Sequence, residues 1–293
     1  MKTVPKNLVK NINRIFYEVE AVDYDKRHPE IMKGDFSWWS DIAKQYLTRM
    51  NHFSLLDIGS GTGFVIDILC RHIKDTYRII CYDLSPEMLN KAREKLSSLS
   101  DVYFIAGDAE SLPFYNESID VICMNSVLHH VPNYPQLLRE IDRVLKKKGI
   151  FIMAHEPNKI FFKPFLVRML ASVYKILGGR IKISNSICTQ INLRLKEEGL
   201  IVNTLSEEEI MSMVDYYSPI EQRKFSIVAD KGFVPQDLIA NFFSTYKILE
   251  LNEYSTFFYR PFIKKASILS FFLMRVYKIF FRKGNLFSWR IQK

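Results

Sequence analysis

The stretch LLDIGSGTGF, residues 55–64, decides the fold. An apolar run reaches Asp57, and Gly59, Gly61 and Gly63 then alternate with Ser60 and Thr62. A chain gives up side chains at alternate positions where its backbone must turn sharply or lie close against a ligand, because glycine enters left-handed backbone without steric cost. A strand that runs into such a loop and on into a helix makes a site for a nucleotide-like ligand. The dinucleotide fingerprint G-x-G-x-x-G is excluded, because its last glycine would fall on Phe64.

Working outward, short apolar runs alternate with helical periods. FSLLDI (53–58), YRIICYD (77–83), VYFIAGD (102–108), SIDVICMNS (118–126) and IFIMAHE (150–156) read as strands. Residues 64–74 carry Val65, Ile66, Leu69 and Ile73 on one helical face. Ser85 followed by Pro86 is a cap and first-turn signal for a second helix. A third helix is expected over 134–146, with Lys146–Lys148 at its C-terminus and Gly149 as its stop. Strands apolar on both faces, alternating with helices, imply a parallel sheet covered on both sides. After Pro157 the alternation stops: 160–220 is mostly helical by pattern, and 246–255 and 285–292 look like two late strands. The expected organisation is one α/β domain: a helical cap (1–50), a core (51–156), a helical insertion (157–220) and C-terminal strands with an amphipathic helix (221–293).

The length of 293 residues and 48% hydrophobic content suit one such domain with additions. The net charge of +9 fits either an anionic partner or ordinary surface charge. Cys70, Cys81, Cys123 and Cys188 lack metal-ligand spacing, so reduced core thiols and no metal are expected. The N-terminus shows no apolar leader, and the uncharged run ASILSFFLM (266–274) is about half a bilayer span. A cytoplasmic protein without a transmembrane helix is expected.

The alternate glycines after Asp57 resemble motif I of the class I S-adenosyl-L-methionine-dependent methyltransferases, and further stations follow at the strand ends. Asp83 closes the second strand, 22 residues after Gly61. DLSPEML (83–89), GDAESLPF (107–114), NSVLHHV (125–131) and LLREIDRVLKKKGIFIM (137–153) continue the likeness. It is nearest the small-molecule branch around the ubiquinone and menaquinone biosynthesis methyltransferases, and VEAVDYDKRHPEI (19–31) is similar to that branch's N-terminal segment.

The resemblance implies a Rossmann-like, seven-stranded, mostly parallel sheet with an antiparallel last strand. Helical additions would cover the C-terminal edge of its strands. It implies S-adenosyl-L-methionine as cofactor, cradled by Asp57, Gly59, Ser60 and Gly61. Asp83 would take the ribose diol, Leu84 and Met88 would pack on adenine, and Asp108 and Ala109 would meet the adenine edge. Asn125 would line the methionine portion, and Tyr24 would lie over the cofactor. His130 is the candidate catalytic residue, with His129, His155 and Glu156 as further rim candidates; Trp38 and Trp39 suit a core or lid.

A methyl on a positive sulfonium is already activated, so alignment and exclusion of water matter more than a base. Nucleic acid is the obvious rival acceptor. The Asn/Asp-Pro-Pro-aromatic motif of the amino-directed enzymes is replaced here by Asn125-Ser126-Val127-Leu128, and Cys123 is not in a Pro-Cys pair. That argues against a nucleic-acid acceptor. Residues 161–177 and 266–282 place basic stripes (Arg168, Lys175; Arg275, Lys278, Arg282) beside wide apolar faces. Such stretches suit either a lid or peripheral contact with an anionic membrane, and both suit a small, apolar or lipid-like acceptor. A non-catalytic binder of the same cofactor is the third reading. No feature sets an oligomeric state.

Overall fold

The computed structural model describes residues 4–28, 35–73, 77–169, 183–219, 227, 230–254 and 284–293. Seven strands form one sheet: β1 (Phe53–Ile58), β2 (Tyr77–Asp83), β3 (Val102–Ala106), β4 (Ile119–Asn125), β5 (Leu145–Pro157), β6 (Lys247–Tyr254) and β7 (Leu286–Gln292). Their order is β3-β2-β1-β4-β5-β7-β6. Neighbours among β1–β5 pair in parallel, and β7 is antiparallel to both β5 and β6. The order reverses where β1 meets β4, and open α/β sheets bind ligands beyond the carboxyl ends of such a pair.

The helices are α1 (Lys6–Glu20), α2 (Tyr24–Arg27), α3 (Phe36–Gln45), α4 (Phe64–Cys70), α5 (Pro86–Lys95), α6 (Tyr134–Val144), α7 (Lys159–Phe162), α8 (Asn185–Glu197), α9 (Glu207–Val214) and α10 (Pro235–Phe242). Alternate side chains along each strand feed two apolar layers. Leu56, Ile122, Phe151 and Trp289 join one. Leu55, Val121, Cys123 and Ile152 join the other. All four cysteines are free thiols. A third cluster forms away from the sheet, where Val9, Ile12 and Phe16 of α1 meet Ile191 and Leu195 of α8 and Ile210 and Val214 of α9. The N-terminal cap and the insertion are therefore packed on one another.

The first helix after the glycines ends at Cys70, short of the expected 74. The lysine run departs further. α6 ends at Val144, and Lys146–Gly149 continue as β5. Lys148 N donates to Lys293 O (2.9 Å) and Lys293 N to Gly149 O (3.0 Å), so pairing with the chain end overrides the helix-stop signal. Lys146 Nζ meets Asp120 at 2.8 Å, and Lys148, not Gly149, takes the left-handed turn with φ 66°.

Of the two basic-apolar stretches, residues 170–177 and all of 266–282 lie outside the described residues. In 161–169, Phe161, Phe162 and Val167 are buried while Phe165 (65% exposed), Leu166 (53%) and Met169 (42%) face out. Among the described residues no helix is long and apolar enough to cross a membrane.

Candidate active site

The glycine loop is built by backbone need. Gly59, Gly61 and Gly63 have φ of 66°, 51° and 80°. A Cβ on Gly59 would lie 2.4 Å from Val127 Cγ2, whereas one on Gly61 would enter open space. Gly59 thus lets two strand-end loops touch, and Gly61 leaves room for something else. Gly59 N donates to Tyr82 O (2.7 Å), tying the loop to β2.

That room is a cleft of about 120 Å³, walled by the glycine loop and by the loops that follow β2, β3 and β4. Ten of the sequence-derived candidates sit on its wall: Tyr24, Gly59, Gly61, Asp83, Leu84, Met88, Asp108, Ala109, Asn125 and His130. Asp57 and Ser60 do not; both are buried, and Asp57 Oδ2 lacks a hydrogen-bond partner among the described residues. Burial, and then Asp83, push the Asp57 carboxyl well above the carboxylate range.

Asp83 is fixed before any ligand arrives. Its Oδ2 accepts from Gly61 N and its Oδ1 from Ser85 N, both at 2.8 Å. Burial raises its pKa, opposed by those amides and by Leu84 N. The lone pairs that these amides leave remain for a ribose hydroxyl. Ser85 also caps α5 by accepting from Met88 N (3.2 Å), which sets Met88 on the wall. Asp108 is more crowded: Oδ1 accepts from Glu110 N (2.9 Å), and Lys10 Nζ from α1 sits 2.6 Å from Oδ2 and 2.5 Å from Glu110. Any ligand amine reaching Asp108 must share the carboxylate with Lys10. Asn125 Oδ1 accepts from the buried Trp39 Nε1 (3.0 Å), which orients the amide and makes Trp39 core rather than substrate box.

His130 Nδ1 lies 2.7 Å from Val214 O, and Nε2 lies 3.0 Å from the Tyr17 hydroxyl. A carbonyl only accepts, so Nδ1 carries the proton and Nε2 accepts from Tyr17. Burial first, and His129 next, push His130 down to about 3, while burial pushes the Tyr17 phenol up; both are neutral. The pair is hydrogen-bonded, uncharged and on the cleft wall.

His155 and Glu156 do not reach that wall, in contrast to their place as rim candidates. His155 Nδ1 pairs with Asp35 Oδ2 at 2.9 Å. Glu156, fully buried, accepts from Val127 N (2.7 Å), Leu128 N (2.8 Å) and His129 N (3.2 Å), and its Oε2 lies 2.9 Å from His129 Nδ1. It staples the 127–129 loop from beneath. His129, His130 and Asp215 bring ligand atoms within 4.8 Å of one another, but His130 already spends both nitrogens, which leaves too few free lone pairs for a metal centre.

Sequence reasoning missed Lys10, Asn13 and Tyr17, which α1 contributes to the wall. Their spacing of three and four residues, beside the buried Val9, Ile12 and Phe16, is a helical stripe of polar-tipped residues that could have flagged them.

A methyltransferase-domain family model matches residues 56–153. The ubiquinone/menaquinone biosynthesis C-methyltransferase UbiE of Rickettsia prowazekii (strain Madrid E) is 30% identical over 180 residues, covering 57% of this chain and 72% of that protein. A demethylmenaquinone methyltransferase of Staphylococcus aureus (strain MRSA252) is 27% identical over 171 residues, covering 58% and 70%. Among solved structures, the [4+2]-cyclase SpnF is similar in fold, with a TM-score of 0.50 at 15% identity over 87% of this chain and 80% of that one.

Proposed function

The chain belongs to the class I S-adenosylmethionine-dependent methyltransferases of the quinone-biosynthesis type, and from that premise we propose that it methylates a small, apolar, quinol-like acceptor in the cleft at the β1/β4 switch point. Its enzymatic class and cofactor follow from the family; the acceptor and the site residues are the proposal.

The residues present fit the cofactor. Gly61 leaves open space, Asp83 offers spare lone pairs for a ribose diol, and Leu84, Met88 and Ala109 give an apolar face for a base. S-Adenosylmethionine supplies a methyl on a sulfonium that needs no further activation. Asn13, Tyr17 and Tyr24 of the N-terminal helices line the same cleft and would help keep water from the bound cofactor.

The observation that carries the acceptor reading is the neutral Tyr17–His130 pair beside Val131 and Pro132. An uncharged hydrogen-bonding pair in an apolar wall suits a ring hydroxyl on a hydrophobic body. With His130 pushed down to about 3, its role is to orient Tyr17 and, through it, the acceptor hydroxyl rather than to take up a second proton at neutral pH. In methylation at a ring carbon, the carbon would gain the methyl as the S–CH₃ bond breaks, the acceptor's hydroxyl electrons would supply the nucleophilic density, and the ring hydrogen would leave as a proton to solvent.

Exposed Phe165, Leu166 and Met169 beside Lys163 support peripheral contact with an anionic bilayer, where such an acceptor would reside. The test of the function uses labelled methyl donor with a demethylated benzo- or naphthoquinol kept reduced. Label entering the organic-soluble product is expected. A protein that binds the cofactor but leaves both quinols unlabelled overturns the acceptor class.

A further inference from the structure

We propose that Asp25 is a positioning residue for the cofactor: it clamps α2 to the glycine loop and thereby holds Tyr24 over the cleft. This rests on the reading of the cleft as the cofactor site.

Tyr24 opens α2, a helix of four residues with no side-chain cap bond and no buried residue. So short a helix has no stability of its own. Its placement comes from outside: Arg27 is ion-paired with the buried Glu20 of α1, and Asp25 ties the helix to the glycine loop. Asp25 Oδ1 accepts from Thr62 Oγ1 at 2.6 Å, and Oδ2 accepts from Lys95 Nζ at 2.6 Å. Lys95 Nζ also donates to Thr62 Oγ1 at 3.0 Å, which closes a three-membered ring of bonds.

Each partner is anchored separately. Thr62 is 4% exposed and lies between Gly61 and Gly63, whose left-handed backbone fixes where its hydroxyl points. Lys95 is the last residue of α5, the helix whose first turn carries Met88 on the cleft wall. The clamp therefore refers Tyr24 to the same two elements that would hold the cofactor from below. Tyr24 in turn packs edge-on to Tyr17 at 6.0 Å between ring centroids, so its position reaches the Tyr17–His130 pair.

The bonds are partly exposed: the side chains of Asp25 and Lys95 are 41% and 27% accessible. Such ties add little to global stability, so their effect falls on geometry. Thr62 and Asp25 were not among the expected site residues, and neither lines the cleft.

Calorimetry of S-adenosylmethionine binding to the full chain tests this. Asp25→Ala should weaken binding roughly five- to tenfold. Its thermal midpoint should stay within about 2 °C of wild type. Lys95→Met, which removes one arm, should weaken binding less. The decisive measurement is a double-mutant cycle. In a Tyr24→Ala background, Asp25→Ala should change affinity by less than about twofold, because the residue it positions is gone. An Asp25→Ala protein that binds within about twofold of wild type overturns the proposal, and so do losses that simply multiply with Tyr24→Ala. Asp83→Ala separates this from the parent reading. If Asp83→Ala abolishes binding while Asp25→Ala is neutral, only the clamp is wrong. If the wild-type chain does not bind, both fall.

Discussion

The rim of the sheet and the helical cap that leans on it are held by different kinds of bond. At the rim, backbone groups are the donors: Gly107 N to Asp83 O (2.9 Å), Ser126 N to Ala154 O (2.9 Å), and the amides that converge on Asp83 and Glu156. Among the described residues, side chains tie the N-terminal cap to the rim, at Lys10–Asp108, Tyr17–His130 and Asp25–Thr62. Backbone cradles are rigid and preformed, whereas partly exposed side-chain ties are individually weak. The rim sets where a ligand sits, and the cap adds partly exposed ties around it.

The comparison breaks most sharply at Gly59 and Gly61. Gly59→Ala forces a Cβ onto Val127 at positive φ and should cost about 2–4 kcal/mol of stability, read as a lower denaturation midpoint together with lost cofactor binding. Gly61→Ala meets nothing within 4 Å; it should fold, losing about 1 kcal/mol to its φ, yet still bind poorly because its methyl occupies the cleft. Equal stability loss in the two would erase the distinction between a touching loop and an open one.

Asp83→Ala should weaken cofactor binding by at least about tenfold, the scale of a lost charge-assisted hydrogen bond. A folded variant with unchanged affinity would remove the ribose assignment.

The histidines sharpen the comparison through pH. Burial depresses His129 and His130 from 6.5 to about 3, so between those values the unfolded chain holds protons that the folded chain refuses. Their contribution is present above pH 6.5 and is lost as pH falls toward 3. Glu156, raised by burial from 4.5 to about 7, works oppositely: its contribution is present below 4.5 and lost as pH rises through 7. His130→Gln removes one of these groups, so in melts between pH 4 and 7 the variant should lose less stability on acidification than wild type, by about one proton in the slope. An unchanged slope would mean that His130 is not held neutral.

The smallest effect belongs to Lys10. Its ion pairs are partly exposed, so Lys10→Met should change stability by no more than about 1 kcal/mol. Cofactor affinity should rise slightly as Asp108 is freed. A large loss of affinity would make the cap part of the cradle.

The rim was legible because each of its stations follows a strand directly, so strand end and loop chemistry occur together in the sequence. Gly59, Asp83, Asp108 and Asn125 were all read that way. The cap was not, because Lys10 and Tyr17 reach their partners across 98 and 113 residues. Glu156 misled for a related reason: a carboxylate ending a strand beside the site looks like a base until three amides from another loop are seen to claim it. Lys146–Gly149 carried a valid helix-stop signal that distant pairing with Lys293 overruled.

β7 lies inside the sheet, between β5 and β6, and Trp289 within it is fully buried. During synthesis β6 leaves the ribosome first and has no neighbour to join until β7 follows. The nascent chain must therefore carry β6 as an unpaired strand, a species prone to aggregate, while the remaining residues are added. A premature stop anywhere before Leu286 would strand β6 as well as delete β7, leaving β5 as a raw edge.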